Sequence, residues 1–317
     1  MAQKIALDEL ERQIEAGDIG PEEIGRYFRT NESKSPKPFF PGLELDPDTV
    51  EVPADRAVQP FRVDFPFPVN FWIAQQRSAR DLEYREHIRR GYKPVIVSRG
   101  DSWFLHPKLS ETIDYLRGAY AIHSFDYPGD TLDDIVNDKA DWLAAIRSEG
   151  ASIFLLSGGG NDLLGGGALA KYLHPFDPRI TDPGQYLTPD YHALIDLSLA
   201  KIRGLIEEVL KLSRNVRVIC HGYDHPIPNN GQWLGGPMNS IHITDRALQK
   251  RITDYMVDAY NVRLHALVKP YTPRVYHLSL CGVVTTGWDD ELHPTEAGFR
   301  QIASHLRAVI DRLSPAA

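Results

Sequence analysis

The chain has 317 residues, of which 42% are hydrophobic and 25% charged, with a formal net charge of −8. That composition can bury a core without metals or disulfides, and its acid excess argues against nucleic acid or an anionic membrane as the main partner, since both require a basic face. The two cysteines, Cys220 and Cys281, are too few for a disulfide-stapled scaffold and are expected to be reduced.

The N-terminus turns acidic and amphipathic where a signal peptide needs an unbroken apolar stretch, and no apolar run is long enough to span a bilayer. The expected state is soluble and cytoplasmic. Ile5, Leu10 and Ile14 share a helical face that Gly17 would end. A second short helix is expected from Pro21, carrying Ile24, Tyr27 and Phe28. Residues 33–69 read as an extended, proline-rich connector whose aromatics, Phe39, Phe40, Phe61, Phe65 and Phe67, call for something to pack against. Asn70 is a candidate cap for a helix running to about Arg90.

From Lys93 onward, apolar β-prone runs alternate with helical ones. The strands are expected at Pro94–Ser98, Ala121–Phe125, Ser152–Leu156, Val216–Cys220 and Arg274–Leu280, and the helices at 189–213, 244–269 and about 295–313, with Thr188-Pro189 and Thr244 as starts. This alternation predicts an α/β fold with a parallel sheet covered by helices on both faces, whose ligands bind beyond the carboxyl ends of the strands. Two domains are expected, an N-terminal helical and irregular extension over 1–92 and an α/β domain over 93–317.

The segments that follow the strands carry the chemistry. Arg99-Gly100-Asp101-Ser102 follows the first, Asp126 to Thr131 the second, and Gly158-Gly159-Gly160-Asn161-Asp162 the third; Trp288-Asp289-Asp290-Glu291-Leu292-His293-Pro294 comes after the fifth. Together they supply a hydroxyl, an unobstructed backbone amide, a carboxamide donor and a carboxylate–imidazole pair, the set that acyl transfer requires. Singly, each has a dull explanation as a turn, a glycine-rich loop or a helix cap. Four in order, each after a strand, are hard to ascribe to chance.

These segments resemble the conserved blocks of the SGNH/GDSL hydrolase family: Gly100-Asp101-Ser102, Gly129 in Gly-Asp-Thr, Gly159-Gly160-Asn161-Asp162, and Asp290-x-x-His293. The resemblance covers roughly 93–317 and leaves out the first ninety residues. It implies a flavodoxin-like, three-layer fold with a five-stranded sheet in the order 2-1-3-4-5. It further implies a serine esterase with Ser102 as nucleophile, His293 as base and Asp290 as its orienter, Asp290 being favoured over Asp289 by the family spacing. The oxyanion would be met by the amides of Ser102 and Gly129 and by the Asn161 side chain. Asp101 and Asp162 are expected to fix loop geometry. Trp103 stands where the family commonly has a smaller aliphatic residue, and is expected to narrow or cap the pocket.

The long connections 163–188 and 221–243 are candidate lids, which makes His225 and Trp233, with Trp103, candidate substrate-binding residues. His221, Asp224 and His225 invite a metal reading, but they are not on a helix and no partner segment is evident, so neither metal nor cofactor is expected. The expected partner is a small-molecule ester, and the extension is a candidate element for homo-oligomer assembly. Acyltransferase, thioesterase and carbohydrate deacetylase chemistry on the same site stay open. A nucleotide-binding protein is a different class, disfavoured because no Gly-x-Gly-x-x-Gly or P-loop pattern is present. A non-catalytic protein on this fold is disfavoured by the intact serine–histidine–aspartate set.

Overall fold

The computed structural model describes residues 4–16, 18–19, 25–31, 38–40, 42–53 and 67–314. Gly17, Pro21, Ile24, Phe61 and Phe65, named above, lie outside them. The N-terminal part forms a helix, Leu7–Ala16, and two small sheets. Strand β1 (Ile5–Ala6) pairs in parallel with β4 (Val50–Glu51), and β2 (Phe28–Thr30) pairs antiparallel with β3 (Leu43–Leu45). Leu7, Leu10, Ile19, Phe28 and Val50 close a small core of their own.

Within the described residues the expected second helix is a single 3₁₀ turn, Gly25–Tyr27, and the connector expected to be irregular contains β3 and β4. Phe28 is in a strand, because its pairing with Leu45 and burial beside Leu10 outweigh weak local helix preference. The long helix also starts before Asn70, at Phe67, since Pro68 needs no partner for a missing N–H in the first turn. That helix, Phe67–Arg89, is tied to the rest of the chain. The buried Arg80 guanidinium donates to the Phe104 carbonyl at 2.8 Å and pairs with Glu111 and with Asp114. Tyr84 stacks on His123 at 4.7 Å.

The main sheet comprises β5 (Val95–Arg99), β6 (Ala121–Ser124), β7 (Ile153–Leu156), β8 (Arg217–His221) and β9 (Val275–Leu278). All neighbours are parallel, in the order β6-β5-β7-β8-β9, which is 2-1-3-4-5 counted from the first strand of this sheet. Every residue of β5 and β7 is buried, as expected for central strands covered on both faces.

The helices obey their sequence signals. In Pro189–Leu212, Thr188 caps the Tyr191 amide and Ile195, Leu199, Ile202, Leu205, Ile206 and Val209 form the buried stripe. Helix Glu296–Leu313 is capped by Thr295 and buries Phe299, Ile302, Leu306 and Ile310. Helix Arg246–Val268 is capped by Asp245, whose carboxylate accepts from two amides, and not by Thr244. The chain is thus a mixed α/β protein with a flavodoxin-like sheet order. Among the described residues no helix is long and apolar enough to cross a membrane.

Candidate active site

Four loops leave the carboxyl edge of the sheet and meet at one apolar-walled cavity of about 150 Å³. Ser102 follows β5 and is almost fully buried. The preceding turn requires Gly100, because a Cβ there would lie 2.7 Å from Phe104 and from Ser157. Asp101 braces the same turn: its carboxylate accepts from Ser157 Oγ (2.9 Å), the Trp103 amide (3.1 Å) and Tyr223 OH (2.5 Å).

The loop 288–294 folds back on itself through a Trp288–Pro294 bridge and presents an imidazole to that serine. His293 Nε2 is 2.8 Å from Ser102 Oγ, and His293 Nδ1 is 2.7 Å from Asp290 Oδ2. Asp290 Oδ1 accepts the Leu292 and His293 amides, both at 2.7 Å, so the carboxylate is fixed by its own turn. Burial opposes charge on both side chains, but their mutual attraction dominates. Asp290 is held well below the usual carboxylate range, and His293 is raised above the usual imidazole value.

Asn161 lines the cavity from the loop after β7. One of its amide hydrogens goes to the Asp130 carbonyl at 2.8 Å, which sets the plane of the carboxamide and leaves the second hydrogen to serve the cavity. The neighbouring Asp162 accepts the Leu132 amide at 2.9 Å, a bond that ties its loop to the helix after β6.

Gly129 is placed differently from the other expected residues, since it does not line the cavity. Its φ is +74°, and a Cβ there would lie 2.9 Å from the Phe39 and Phe40 backbone. The glycine accommodates a strap of the chain's own N-terminal segment. Phe39 and Phe40 then form part of the cavity wall, and Phe39 packs on Trp233 with ring centroids 4.4 Å apart. Aromatics of the connector therefore do find a packing partner, and Trp233 is at the pocket as expected.

Trp103 also lines the cavity, and its indole N–H donates to the Leu292 carbonyl at 3.1 Å, stitching the serine loop to the histidine loop. His225 is not among the lining residues; Asp224 and Pro226 on either side are. Its ring turns outward to Asp258, with Nε2 2.8 Å from the carboxylate. His221 is buried behind the sheet edge with Nδ1 bonded to the Gly222 carbonyl. Cys220 and Cys281 are both free thiols.

Two residues that sequence reasoning passed over shape the site. Glu291, buried between Asp290 and His293 in the chain, accepts four backbone amides of the 229–235 loop: Asn229 and Gly235 at 2.8 Å on one oxygen, Leu234 at 2.9 Å and Trp233 at 3.1 Å on the other. His106 places a second imidazole 4.7 Å from the His293 ring. Its Nδ1 accepts the Lys108 and Leu109 amides, so the proton is on Nε2, and burial together with the nearby His293 keeps it well below the ordinary imidazole value. A neutral ring there adds no second positive charge beside His293.

Sheet order defines the class: a three-layer α/β protein, the fold implied by the resemblance to SGNH/GDSL hydrolases, with Ser102, His293 and Asp290 hydrogen-bonded in series at the carboxyl edge of its sheet. No family model and no curated protein matches the chain. Among solved structures it is similar to a lipase from a goat rumen metagenome, with 16% identity over 68% of this chain and 97% of the other, at a TM-score of 0.49. It is similar to phospholipase A1 from Streptomyces albidoflavus, at 15% identity over 68% and 98% of the two chains, with a TM-score of 0.46. A family 3 carbohydrate esterase from Clostridium thermocellum matches at 17% identity over 69% and 96%, with a TM-score of 0.43.

Proposed function

We propose that this protein is a serine esterase that cleaves a small-molecule ester through an acyl-enzyme intermediate, with Ser102 as nucleophile, His293 as general base and acid, and Asp290 as its orienting carboxylate. The observation that carries the reading is the unbroken relay from Asp290 through His293 to Ser102, with both links within 2.8 Å, at the floor of an apolar-walled cavity. Ser102 Oγ attacks the acyl carbon as its proton passes to His293 Nε2; the imidazolium is stabilised by Asp290. The tetrahedral oxyanion is met by the Ser102 amide and by Asn161 Nδ2, both at the cavity, donors that act most strongly on charge developing in the transition state. Collapse expels the alcohol with the proton from His293, and water repeats the sequence to release the acid. The walls made by Phe39, Phe40, Leu163, Trp233 and Met256 favour an apolar acyl group.

The test is labelling with a fluorophosphonate together with hydrolysis of short nitrophenyl esters. Ser102 is expected to carry the label, and Ser102→Ala to lose both label and turnover while keeping its melting temperature. Substantial hydrolysis by a folded Ser102→Ala protein would remove Ser102 from the role.

A further inference from the structure

Outside the relay, three segments that are distant in sequence bring together side chains of a different chemical character. His225 comes from the loop after β8, Asp258 from the exposed face of helix Arg246–Val268, and Cys281 from the turn after β9. Their donor atoms all lie within 4.8 Å of one another. His225 Nε2 is 2.8 Å from Asp258 Oδ1, and Cys281 Sγ is 3.7 Å from the same oxygen. We propose that His225, Asp258 and Cys281 form a binding site for a divalent cation of zinc's type at the outer rim of the pocket.

The donor set selects that class of ion. A nitrogen, a sulfur and a carboxylate oxygen suit a borderline-soft divalent ion, whereas calcium and magnesium take oxygen ligands. Zinc bonds of roughly 2.0–2.3 Å at tetrahedral angles separate ligand atoms by roughly 3.3–3.8 Å. The sulfur–oxygen distance already falls in that range, and the nitrogen–oxygen pair needs to open by roughly half an ångström, exchanging its hydrogen bond for two metal bonds. The Asp258 side chain is 57% exposed, which gives the ion an entry path and leaves a fourth position to water. On binding, the ion replaces the Cys281 thiol proton, which passes to solvent. The resulting thiolate and carboxylate balance the double positive charge.

A supporting outer layer is also present. Asp224 Oδ1 accepts the His225 backbone amide at 2.7 Å, and Asn261 Nδ2 donates to Cys281 Sγ at 3.4 Å. The first fixes the main chain that carries the imidazole, and the second orients the sulfur, as outer-layer hydrogen bonds to metal ligands do. Asp224 itself is anchored by the amides of Gly282 and Val284, both at 2.6 Å. The ion would therefore pin the loop after β8 and the long helix to the turn that leads on toward Asp290 and His293.

The experiment uses the full chain, stripped with a chelator, dialysed and titrated with Co²⁺. The expected result is a sulfur-to-cobalt charge-transfer absorption that saturates at one ion per chain, is displaced by Zn²⁺, and is accompanied by a higher melting temperature with Zn²⁺. Cys281→Ser should abolish the charge-transfer band. His225→Ala and Asp258→Asn should each weaken Zn²⁺ binding by at least ~10-fold. Because Asp258 is on an exposed helix face, Asp258→Asn keeps the test sound should either of the others fail to fold. Absence of a saturable band, or Zn²⁺ affinity unchanged in a folded Asp258→Asn protein, overturns the proposal.

Discussion

Replacing Glu291 by glutamine tests whether one buried carboxylate holds the histidine loop against the Trp233 loop. Each of its oxygens accepts two backbone amides at 2.8–3.1 Å. Glutamine is isosteric, but it puts an NH₂ where one oxygen stood, so donors face donors and one buried and one half-buried amide lose their acceptor. At about 1–3 kcal/mol for each unsatisfied group, the cost is about 2–6 kcal/mol. With a fall of about 2 °C per kcal/mol in a chain of this length, Tm should drop by about 4–12 °C. The loop carrying Trp233 loosens at the same time, so KM for nitrophenyl esters should rise and kcat should fall, because Glu291 adjoins the turn that aims His293. Circular-dichroism melts and steady-state kinetics read both effects. A Glu291→Gln protein that melts within about a degree of the parent, with unchanged kinetics, would refute the reasoning.

Three further outcomes follow from the site. Because Asp290 raises the His293 pKa, the acid limb of kcat/KM should be centred above the ordinary imidazole value of about 6.5, and Asp290→Asn should move that limb to lower pH while cutting turnover; an unmoved limb in Asp290→Asn would separate the two groups. Asn161→Ala should lower kcat by about 100- to 1,000-fold with KM little changed, as expected for a donor to the oxyanion, and a thermally normal variant with full kcat would exclude that role. Burial pushes Asp162 up to about 6, against the pull of the Leu132 amide and Lys201. The folded state thus holds this proton more tightly than the unfolded chain, and its contribution is greatest below about pH 4 and is lost as pH rises through about 6. Asp162→Asn should accordingly stabilise the protein on the order of 1–3 kcal/mol at pH 8 and not at all at pH 4, read from paired urea melts at the two pH values.

The main sheet was legible because its strands are short, wholly apolar runs such as Val95–Val97 and Ile153–Leu156, buried on both faces, and the helices between them carry strong caps. That Ser102, Asn161, Asp290 and His293 meet at one cavity was legible because each comes from a segment that follows a strand of the main sheet. Glu291 and the indole of Trp103 were not, since their partners are backbone amides and a carbonyl, groups that every residue possesses and that leave no pattern in a sequence. The strap was half legible. Five connector aromatics announced burial, but nothing local said that Phe39 would settle over Gly129 and against Trp233. The strands β2 and β3 escaped because three-residue pairings depend on each other and hardly at all on their own composition. The trio His225, Asp258 and Cys281 spans 57 positions with no repeat or motif, so only folding brings it together.

The aromatic wall of the cavity has an optical consequence. Of the five tryptophans in the chain, Trp103, Trp233 and Trp288 line the pocket, while Trp142 is stacked on Phe154 in the core and Trp72 is buried in the long helix near Gly25. Indole emission shifts toward the blue when water around the ring is replaced by apolar groups. The protein therefore carries its own fluorophores at the place where a ligand would arrive. With Trp72→Phe and Trp142→Phe as a quiet background, occupancy by a non-hydrolysable ester analogue is read without any label from the combined emission of Trp103, Trp233 and Trp288.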